Sequence, residues 1–219
     1  MTNKKIFIDG GAYKGTSVEQ FRNKFKDHQE YEIHCFEANK QLAEHFDNLD
    51  VKLHQFVMSD SDGRVKFYNS GDQGSSIFKD KSEYYPTGFL DDTELPSVSV
   101  DRWIKENTSP EDYIVLKLNI EGAEYKVLQS MIEGGSIHRI DRLYVDWHCG
   151  KTEHVSQEEH IELVEKLLDI GKIPIDFHRN RIAISDKDVS RPRGKLESRK
   201  TLKPELTDRW QKIKIRCYQ

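Results

Sequence analysis

Short apolar runs alternate with amphipathic stretches through the first half of the chain. The strand-like runs lie at 6–8, 31–36, 52–58 and 113–120. After the first run, Val18, Phe21 and Phe25 recur at the spacing of one helix face. Because parallel strands need crossover segments between them, usually helices, this order predicts an α/β fold with a parallel sheet and helices on both faces.

The pattern continues to the end of the chain. The other predicted elements are a helix over 39–46, a short strand over 98–101, helices around Trp103 and Leu128, a strand over 143–148, and terminal strands over 173–177, 181–184 and 212–217. Ser156 and Glu159 have the spacing of a capping box, which predicts that another helix begins there. Gly171 is the predicted end of that helix.

Two stretches have compositions typical of loops. Residues 69–96 are rich in Gly, Ser, Asp and Pro, and we predict a lid loop over 69–97. The alternating run at 64–68 before it predicts a hairpin strand. The stretch 186–209 is basic and contains proline, which predicts a second loop. With 219 residues, one domain over 1–219 is expected.

Charge and cysteine content narrow the classes of function. A net charge of −4 gives no overall positive field, so nucleic acid is not the expected partner. The chain enters its first strand directly after Lys5 and has no run long enough to span a membrane, so we expect a cytoplasmic protein. Cys35, Cys149 and Cys217 are scattered and odd in number, which indicates reduced thiols rather than a disulfide framework. Nothing in the sequence indicates an oligomeric state.

A glycine-rich turn follows the first apolar strand. Gly10, Gly11 and Gly15 separate that strand from the first helix. A sharp strand-to-helix turn favours glycine because it uses positive φ, and a ligand can approach bare backbone closely. The turn therefore predicts a cofactor site whose ligand faces the N-terminus of the helix.

Polar residues lie at the carboxyl ends of several predicted strands. They are Asp9, Glu37, Ser59, Asp60, Asn119, Glu121 and His148. Ligands of open α/β sheets bind outside the carboxyl ends of the strands, so this set predicts one binding site. Glu37 lies 22 residues after Gly15, where a carboxylate can bind both hydroxyls of a ribose. That spacing suits NAD and S-adenosylmethionine equally. Ala12 stands where a dinucleotide fingerprint requires glycine, which favours S-adenosylmethionine.

Four segments resemble the FkbM-type methyltransferases, a branch of the class I S-adenosylmethionine-dependent fold. The segments are 7–12 with Gly15, 36–38, 58–60 with Gly63, and 116–124. The most specific is Glu121-Gly122-Ala123-Glu124 after an apolar strand. The resemblance covers residues 5 to 150 and implies a Rossmann-like three-layer sandwich. We expect a mostly parallel seven-stranded sheet with an antiparallel C-terminal strand.

The resemblance also implies roles for the residues that match its motifs. Asp9, Gly11 and Gly15 would line the methionine part of the cofactor, with Gly10 and Ala12 in the same turn. Glu37 would bind the ribose, and Ser59 with Asp60 the adenine. The family usually has Asp at the position of Asn119, so this chain lacks one negative charge beside the expected site of methyl transfer.

Methyl transfer to a hydroxyl group requires an aligned acceptor and removal of its proton. His148 is the first candidate for the general base because imidazole titrates near neutral pH. Glu121 and Glu124 are the next candidates. With Asn119 and Asp146 they could instead hold Mg²⁺, although a metal is not the favoured interpretation. His148, Cys149 and His154 match no standard zinc spacing.

The acceptor is less well defined. The resemblance implies O-methylation of a sugar, a glycan or a small metabolite. Aromatic residues Tyr84, Tyr85, Phe89 and Trp147 are candidates for stacking on it. Two alternatives stay open: a non-catalytic scaffold with the same fold, and an RNA-modifying methyltransferase that uses the basic stretch between Arg191 and Lys203. A NAD-dependent dehydrogenase is a weaker third.

Overall fold

The computed structural model describes residues 3–70, 74–79, 89–149 and 152–179, together with Ala183. Its strands are β1 (Lys5–Gly10), β2 (Tyr31–Phe36), β3 (Lys52–His54), β4 (Val57–Ser59), β5 (Gly63–Asn69), β6 (Asp91–Ser99), β7 (Tyr113–Leu118), β8 (Ile140–Val145) and β9 (Pro174–Ile175). Its α-helices are α1 (Thr16–Lys24), α2 (Val100–Asn107), α3 (Glu124–Gly134) and α4 (Gln157–Asp169). Short 3-10 helices span His28–Glu30, Lys40–Phe46 and Ser136–Arg139.

The main sheet has six strands in the order β3-β2-β1-β7-β8-β9, and its paired strands run parallel. The predicted α/β class and mostly parallel sheet are therefore confirmed. β1 lies between β2 and β7, with Asp9 opposite Cys35 on one side and Lys117 on the other. The central strands end in the same direction, so the turns after β1, β2, β7 and β8 meet at one edge of the sheet.

Alternation of side chains along β1 divides the core into two layers. Ile6 and Ile8 pack in a cluster with residues of α2, α3 and α4, whereas Phe7 packs on the opposite face with Val18 and Phe21 of α1. Because both faces of the sheet are covered, its strands consist mainly of buried apolar residues. This layering holds the turn after β1 between α1 and the sheet.

A second sheet of three strands, in the order β4-β6-β5, corrects two expectations. The predicted strand over 52–58 is two strands, β3 and β4, which belong to different sheets. The predicted lid loop over 69–97 is wrong at its end, because residues 91–99 form β6. That strand pairs antiparallel with β5 and parallel with β4. These pairings lie far apart in sequence and decide the structure of a segment whose local composition is typical of a loop.

Two expectations concern the C-terminal part. The predicted strand over 173–177 is present as the short β9, which is parallel to β8. The predicted strands over 181–184 and 212–217 and the basic loop over 186–209 fall outside the described residues, apart from Ala183, so a seventh strand and an antiparallel C-terminal strand are not confirmed.

Among the described helices, none combines the length and the apolar character needed to cross a membrane.

The helix ends follow the sequence signals. Ser156 accepts a hydrogen bond from the Glu159 amide, and the Glu159 side chain bonds back to the Ser156 amide, so the capping box at the start of α4 is formed. Gly135 ends α3 in the left-handed conformation with φ of 89°. These local signals place the end of α3 and the start of α4 correctly, whereas the helix predicted over 39–46 is a 3-10 helix.

Candidate functional site

A cleft of about 440 Å³ opens at the edge of the sheet where the central strands end. Residues from the turns after β1, β2, β7 and β8 form its floor and walls. Predicted site residues that line it are Gly11, Ala12, Glu37, Asn119, Glu121 and His148. Volumes of this size are typical of cofactor sites. Asp9, Gly10, Gly15, Ser59 and Asp60 are not part of its lining.

Close backbone packing explains the glycine at position 11. Gly11 has φ of 70°, and a Cβ atom there would overlap the carbonyl oxygen of Asn119. The amides of Gly11 and Ala12 both donate to the Phe36 carbonyl oxygen at 3.1 Å. The turn after β1 is therefore fixed against the turn after β7 and the end of β2. Glycine is required here by the approach of two protein backbones, whatever ligand the cleft holds.

Beneath this turn, Asp9 and Lys117 form a buried ion pair. Lys117 Nζ lies 2.8 Å from Asp9 Oδ1, and the side chains are 5% and 0% exposed. The same ammonium donates to the carbonyl oxygens of Gly10 (3.3 Å) and Gly11 (3.0 Å), and Ser17 Oγ donates to Asp9 Oδ2. Through Lys117 and Ser17, Asp9 therefore connects the turn at the floor of the cleft to the start of α1.

Glu37 lies at the end of β2, and backbone amides hold its carboxylate. Tyr13 N–H donates to Oε2 and Asn39 N–H donates to Oε1, each at 2.8 Å. Burial raises the pKa of Glu37, and the two amide donors and the nearby Lys117 ammonium act against this rise. A carboxylate has about four acceptor positions, so two amide donors leave capacity for ligand hydroxyls. Tyr13 has φ of 52°, a conformation that this bond to Glu37 stabilises.

Ser59 and Asp60 bond to each other rather than to the cleft. Ser59 is 3% exposed, and its hydroxyl donates to Asp60 Oδ1 at 2.9 Å. The cleft wall on the side of Glu37 is instead formed by Asn39, Leu42 and Phe56, together with Val57 and Met58. This wall is mostly apolar, as the flat face of a base requires.

Asn119 and Asp146 lie next to each other at the ends of β7 and β8, since Leu118 and Val145 are partners in the sheet. Both residues line the cleft. Asn119 Oδ1 is buried without a hydrogen-bond partner among the described residues. A buried polar atom without a hydrogen-bond partner lowers the stability of the fold, so it indicates a place for a ligand or water.

His148 lies between two carboxylates. Its Nδ1 is 3.0 Å from Glu124 Oε1 and its Nε2 is 3.4 Å from Glu121 Oε2. Glu124 is completely buried and also accepts the amides of Ile120 (2.7 Å) and Gly122 (2.9 Å). Burial disfavours the charged imidazolium, but the carboxylates of Glu121 and Glu124 outweigh it and raise the pKa of His148 to about 9.

The protonation of His148 changes its chemical role. A histidine with a pKa of about 9 is an imidazolium at neutral pH and has no lone pair to accept a proton. Burial by itself would raise the pKa of Glu124. The charge of the His148 imidazolium and its hydrogen bond outweigh this effect, so the pKa of Glu124 is lowered and the group stays ionised. In this state His148 is suited to holding Glu121 and Glu124 in place rather than to acting as a base.

A segment from the second sheet closes one side of the cleft. Residues 74–77 line it, and Tyr68 and Ser76 form an antiparallel bridge that joins the segment to β5. Ser76 Oγ donates to the Glu121 carbonyl oxygen at 2.8 Å, and Phe78 packs beside Gly122. Part of the predicted lid therefore lies at the cleft. Tyr84 and Tyr85 fall outside the described residues.

The charged side chains of the cleft are mainly acidic. In the part of the chain that the structure describes, the carboxylates of Glu37, Glu121 and Asp146 line the cleft. The Lys117 ammonium, which Asp9 pairs, and the His148 imidazolium, which lies between Glu121 and Glu124, also line it. The described residues contain no group of three or more His, Cys, Asp or Glu side chains arranged to hold a metal ion. The cleft is therefore suited to a ligand with positive charge.

Sequence reasoning missed several of these residues. Lys117 is a charged residue inside the most apolar strand, and that contrast is the signal that could have identified it. Tyr13, Thr16 and Phe56 also line the cleft. No local pattern marks them, because only the folded chain brings them to the ends of the strands.

Comparison with known proteins gives one finding. The family model described as "Methyltransferase FkbM domain" matches residues 9–173. The match includes the turn after β1, the end of β2, both turns beside Asn119 and Asp146, and all of α4. A search of curated proteins and a search of solved structures each returned no match.

Proposed function

The chain belongs to the FkbM methyltransferase family, and from this premise we propose that it is an S-adenosylmethionine-dependent O-methyltransferase. Its proposed acceptor is a hydroxyl group of a sugar, a glycan or another small metabolite. The observation that carries the proposal is Glu37, a carboxylate held by two backbone amides at the end of β2 on the wall of the cleft.

The residues of the cleft fit the parts of this cofactor. Glu37 has acceptor capacity for both ribose hydroxyls, and the apolar wall formed by Leu42 and Phe56 suits the adenine. No side chain caps the N-terminus of α1, and its first residues, Thr16 and Ser17, line the cleft. Free amides at a helix start favour an anion, such as the carboxylate of the methionine part.

Charge separates this ligand from a dinucleotide. S-adenosylmethionine carries an ammonium, a sulfonium and one carboxylate, whereas NAD carries a pyrophosphate. Among the described residues lining the cleft, the Lys117 ammonium is paired with Asp9. The His148 imidazolium is likewise held between Glu121 and Glu124. The carboxylates of Glu121 and Asp146 would repel a pyrophosphate and attract a cation.

When bound, S-adenosylmethionine supplies an electrophilic methyl group on a sulfonium. The chain must then orient the acceptor hydroxyl and take up its proton. We assign proton acceptance to Asp146, which lines the cleft, and orientation of the hydroxyl to the adjacent Asn119. His148 is not assigned this role because its ring is held between Glu121 and Glu124. Residues 74–77, which form one side of the cleft, would help to exclude water from the reacting groups.

Calorimetry with S-adenosylmethionine tests the cofactor assignment. Replacement Glu37→Gln removes the negative charge that ribose hydroxyls would bind, so affinity should fall by roughly 10- to 100-fold. Glu44→Gln, an exposed change in the 3-10 helix Lys40–Phe46, is the matched control and should leave affinity unchanged. Equal affinity in Glu37→Gln and the wild-type protein would contradict the assignment.

Transfer of a tritiated methyl group tests the reaction. Incorporation into glycans, hydroxylated metabolites and RNA should be measured side by side, with Asp146→Asn as the inactive comparison. Label in a glycan or metabolite is the expected result. Label in RNA would instead support the alternative acceptor class, and cofactor binding without transfer to any acceptor would favour a scaffold.

A further inference from the structure

Glu121 has an unusual backbone conformation at the floor of the cleft. It follows β7 by three residues, has φ of 58°, and lines the cleft with a side chain that is 17% exposed. A residue other than glycine rarely adopts a left-handed φ unless its surroundings hold it there. The contacts around Glu121 therefore hold it in this conformation.

Four contacts hold this residue on both sides. Glu124 accepts the amides of Ile120 and Gly122, the immediate neighbours of Glu121 in the chain. The Glu121 carbonyl accepts the Ser76 hydroxyl, and its carboxylate pairs with His148. The backbone and the side chain of Glu121 are thus fixed independently, and its carboxylate stays at the cleft rather than turning to solvent.

The charged groups around His148 leave an excess of negative charge on the side that faces the cleft. One imidazolium faces two carboxylates, so the group formed by Glu121, His148 and Glu124 has a net charge of −1. Glu124 is fully buried and has two amide donors of its own. Glu121 is the member that reaches the cleft, so the excess negative charge acts there.

We propose that Glu121, oriented by His148, is the residue that makes the cleft distinguish a positively charged sulfonium ligand from its neutral thioether counterpart. This inference rests on the proposed function. S-adenosylmethionine and S-adenosylhomocysteine differ by the methyl group and the charge on sulfur, and their remaining parts would make the same contacts. A fixed carboxylate favours the charged form, and this preference helps the neutral product to leave after transfer.

The test compares the two ligands by calorimetry. In Glu121→Gln, the dissociation constant for S-adenosylmethionine should rise relative to that for S-adenosylhomocysteine by roughly tenfold, the effect expected for loss of one partly screened charge pair. An unchanged ratio would overturn the inference. Glu121→Asn is a second neutral variant in case Gln folds poorly, because Asn tolerates positive φ well.

Asp146→Asn is the matched control, since it also removes one carboxylate from the cleft lining. Because the Asp146 carboxylate also attracts a cation, the ratio should change in the same direction, but by clearly less than in Glu121→Gln. An equal change in both variants would assign the discrimination to the general field of the cleft and overturn the specific role of Glu121. If the wild-type protein binds neither ligand, the proposed function itself fails and this inference with it.

A second readout needs no ligand. The ring nitrogens of His148 can be followed by NMR as the pH is raised. Glu121→Gln removes one of the two carboxylates that face the ring, so the histidine should titrate at lower pH than in the wild-type protein, whereas Asp146→Asn should shift it less. Identical titration in Glu121→Gln and the wild-type protein would show that His148 does not orient Glu121.

Discussion

His148 Nδ1 lies 3.0 Å from Glu124 Oε1, and the two side chains are 1% and 0% exposed. This ion pair is completely buried, and the remaining acceptor positions of the carboxylate bind backbone amides. Such a pair does not by itself make a protein more stable than apolar packing would, but removal of one partner leaves an uncompensated charge. The pair therefore links the geometry of the cleft floor to the stability of the fold.

Replacement Glu124→Gln should destabilise the protein by about 3 kcal/mol, because the buried imidazolium loses its closest counter-charge. The free energy of unfolding measured in urea checks this value. Glu133→Gln, an exposed change in the same helix, should shift it by less than about 0.5 kcal/mol. A similar small effect in Glu124→Gln would show that the two groups are not paired as ions.

Stability should fall as the pH rises above neutrality. The pKa of His148 is raised from 6.5 to about 9, so the folded protein binds this proton more tightly than the unfolded chain does. The contribution is complete below about pH 6.5 and is lost as the pH rises through about 9. Urea unfolding at pH 6, 7.5 and 9 measures the decline.

The variant His148→Gln serves as the control for this decline. Burial also raises the pKa of the Cys35 thiol, which weakens the fold at alkaline pH in both proteins. The difference between wild type and His148→Gln therefore isolates the histidine, and this difference should shrink towards pH 9. A difference that is independent of pH would show that His148 is neutral in the folded protein.

Replacement Gly11→Ala should be much more damaging than Gly135→Ala. Both glycines have positive φ, 70° and 89°, so both variants carry the same kind of backbone strain. A methyl group at Gly135 meets no atom within 4 Å, whereas one at Gly11 overlaps the Asn119 carbonyl. We expect a cost of about 1–2 kcal/mol at Gly135 and more at Gly11, measured by thermal unfolding. Equal costs would mean that the turn after β1 can move away from the turn after β7 with little loss of stability.

Replacement Lys117→Met should leave Asp9 as a buried carboxylate without its counter-charge and cost about 3–5 kcal/mol. Adding Asp9→Asn removes that charge, so the double variant should recover part of the loss. A double-mutant cycle from urea unfolding gives the coupling between the two residues. Additive effects would contradict direct pairing, and full recovery would mean that the bonds from Lys117 to the carbonyls of Gly10 and Gly11 contribute little.

Local patterns in the sequence were sufficient for the helices and for the central strands. The alternation of apolar runs and amphipathic stretches predicts the parallel sheet, and the capping box predicts the start of α4. The spacing from Gly15 to Glu37 places a carboxylate at the end of β2, where the structure has it on the cleft wall. These features depend on neighbours in the chain, and a single sequence contains that information.

Pairings between distant segments could not be predicted in this way. Residues 91–99 contain Asp, Glu and Pro and resemble a loop, yet they form β6 because β4 and β5 supply partners on both sides. The strand predicted over 52–58 divides for the same reason, since its two halves join different sheets. Register and sheet membership depend on partners that the local sequence does not identify.

The site shows the same division. The sequence by itself determined the α/β class, the glycine turn and the polar residues that meet at the ends of the strands, because each follows from local steric limits and from the direction of parallel strands. Tertiary structure alone decided their charge states and contacts. It buries Asp9 against Lys117, and it places His148 between Glu121 and Glu124, where two nearby carboxylates keep the ring protonated. Proton affinity depends on burial and on the distances between charges, and those exist only once the chain has folded.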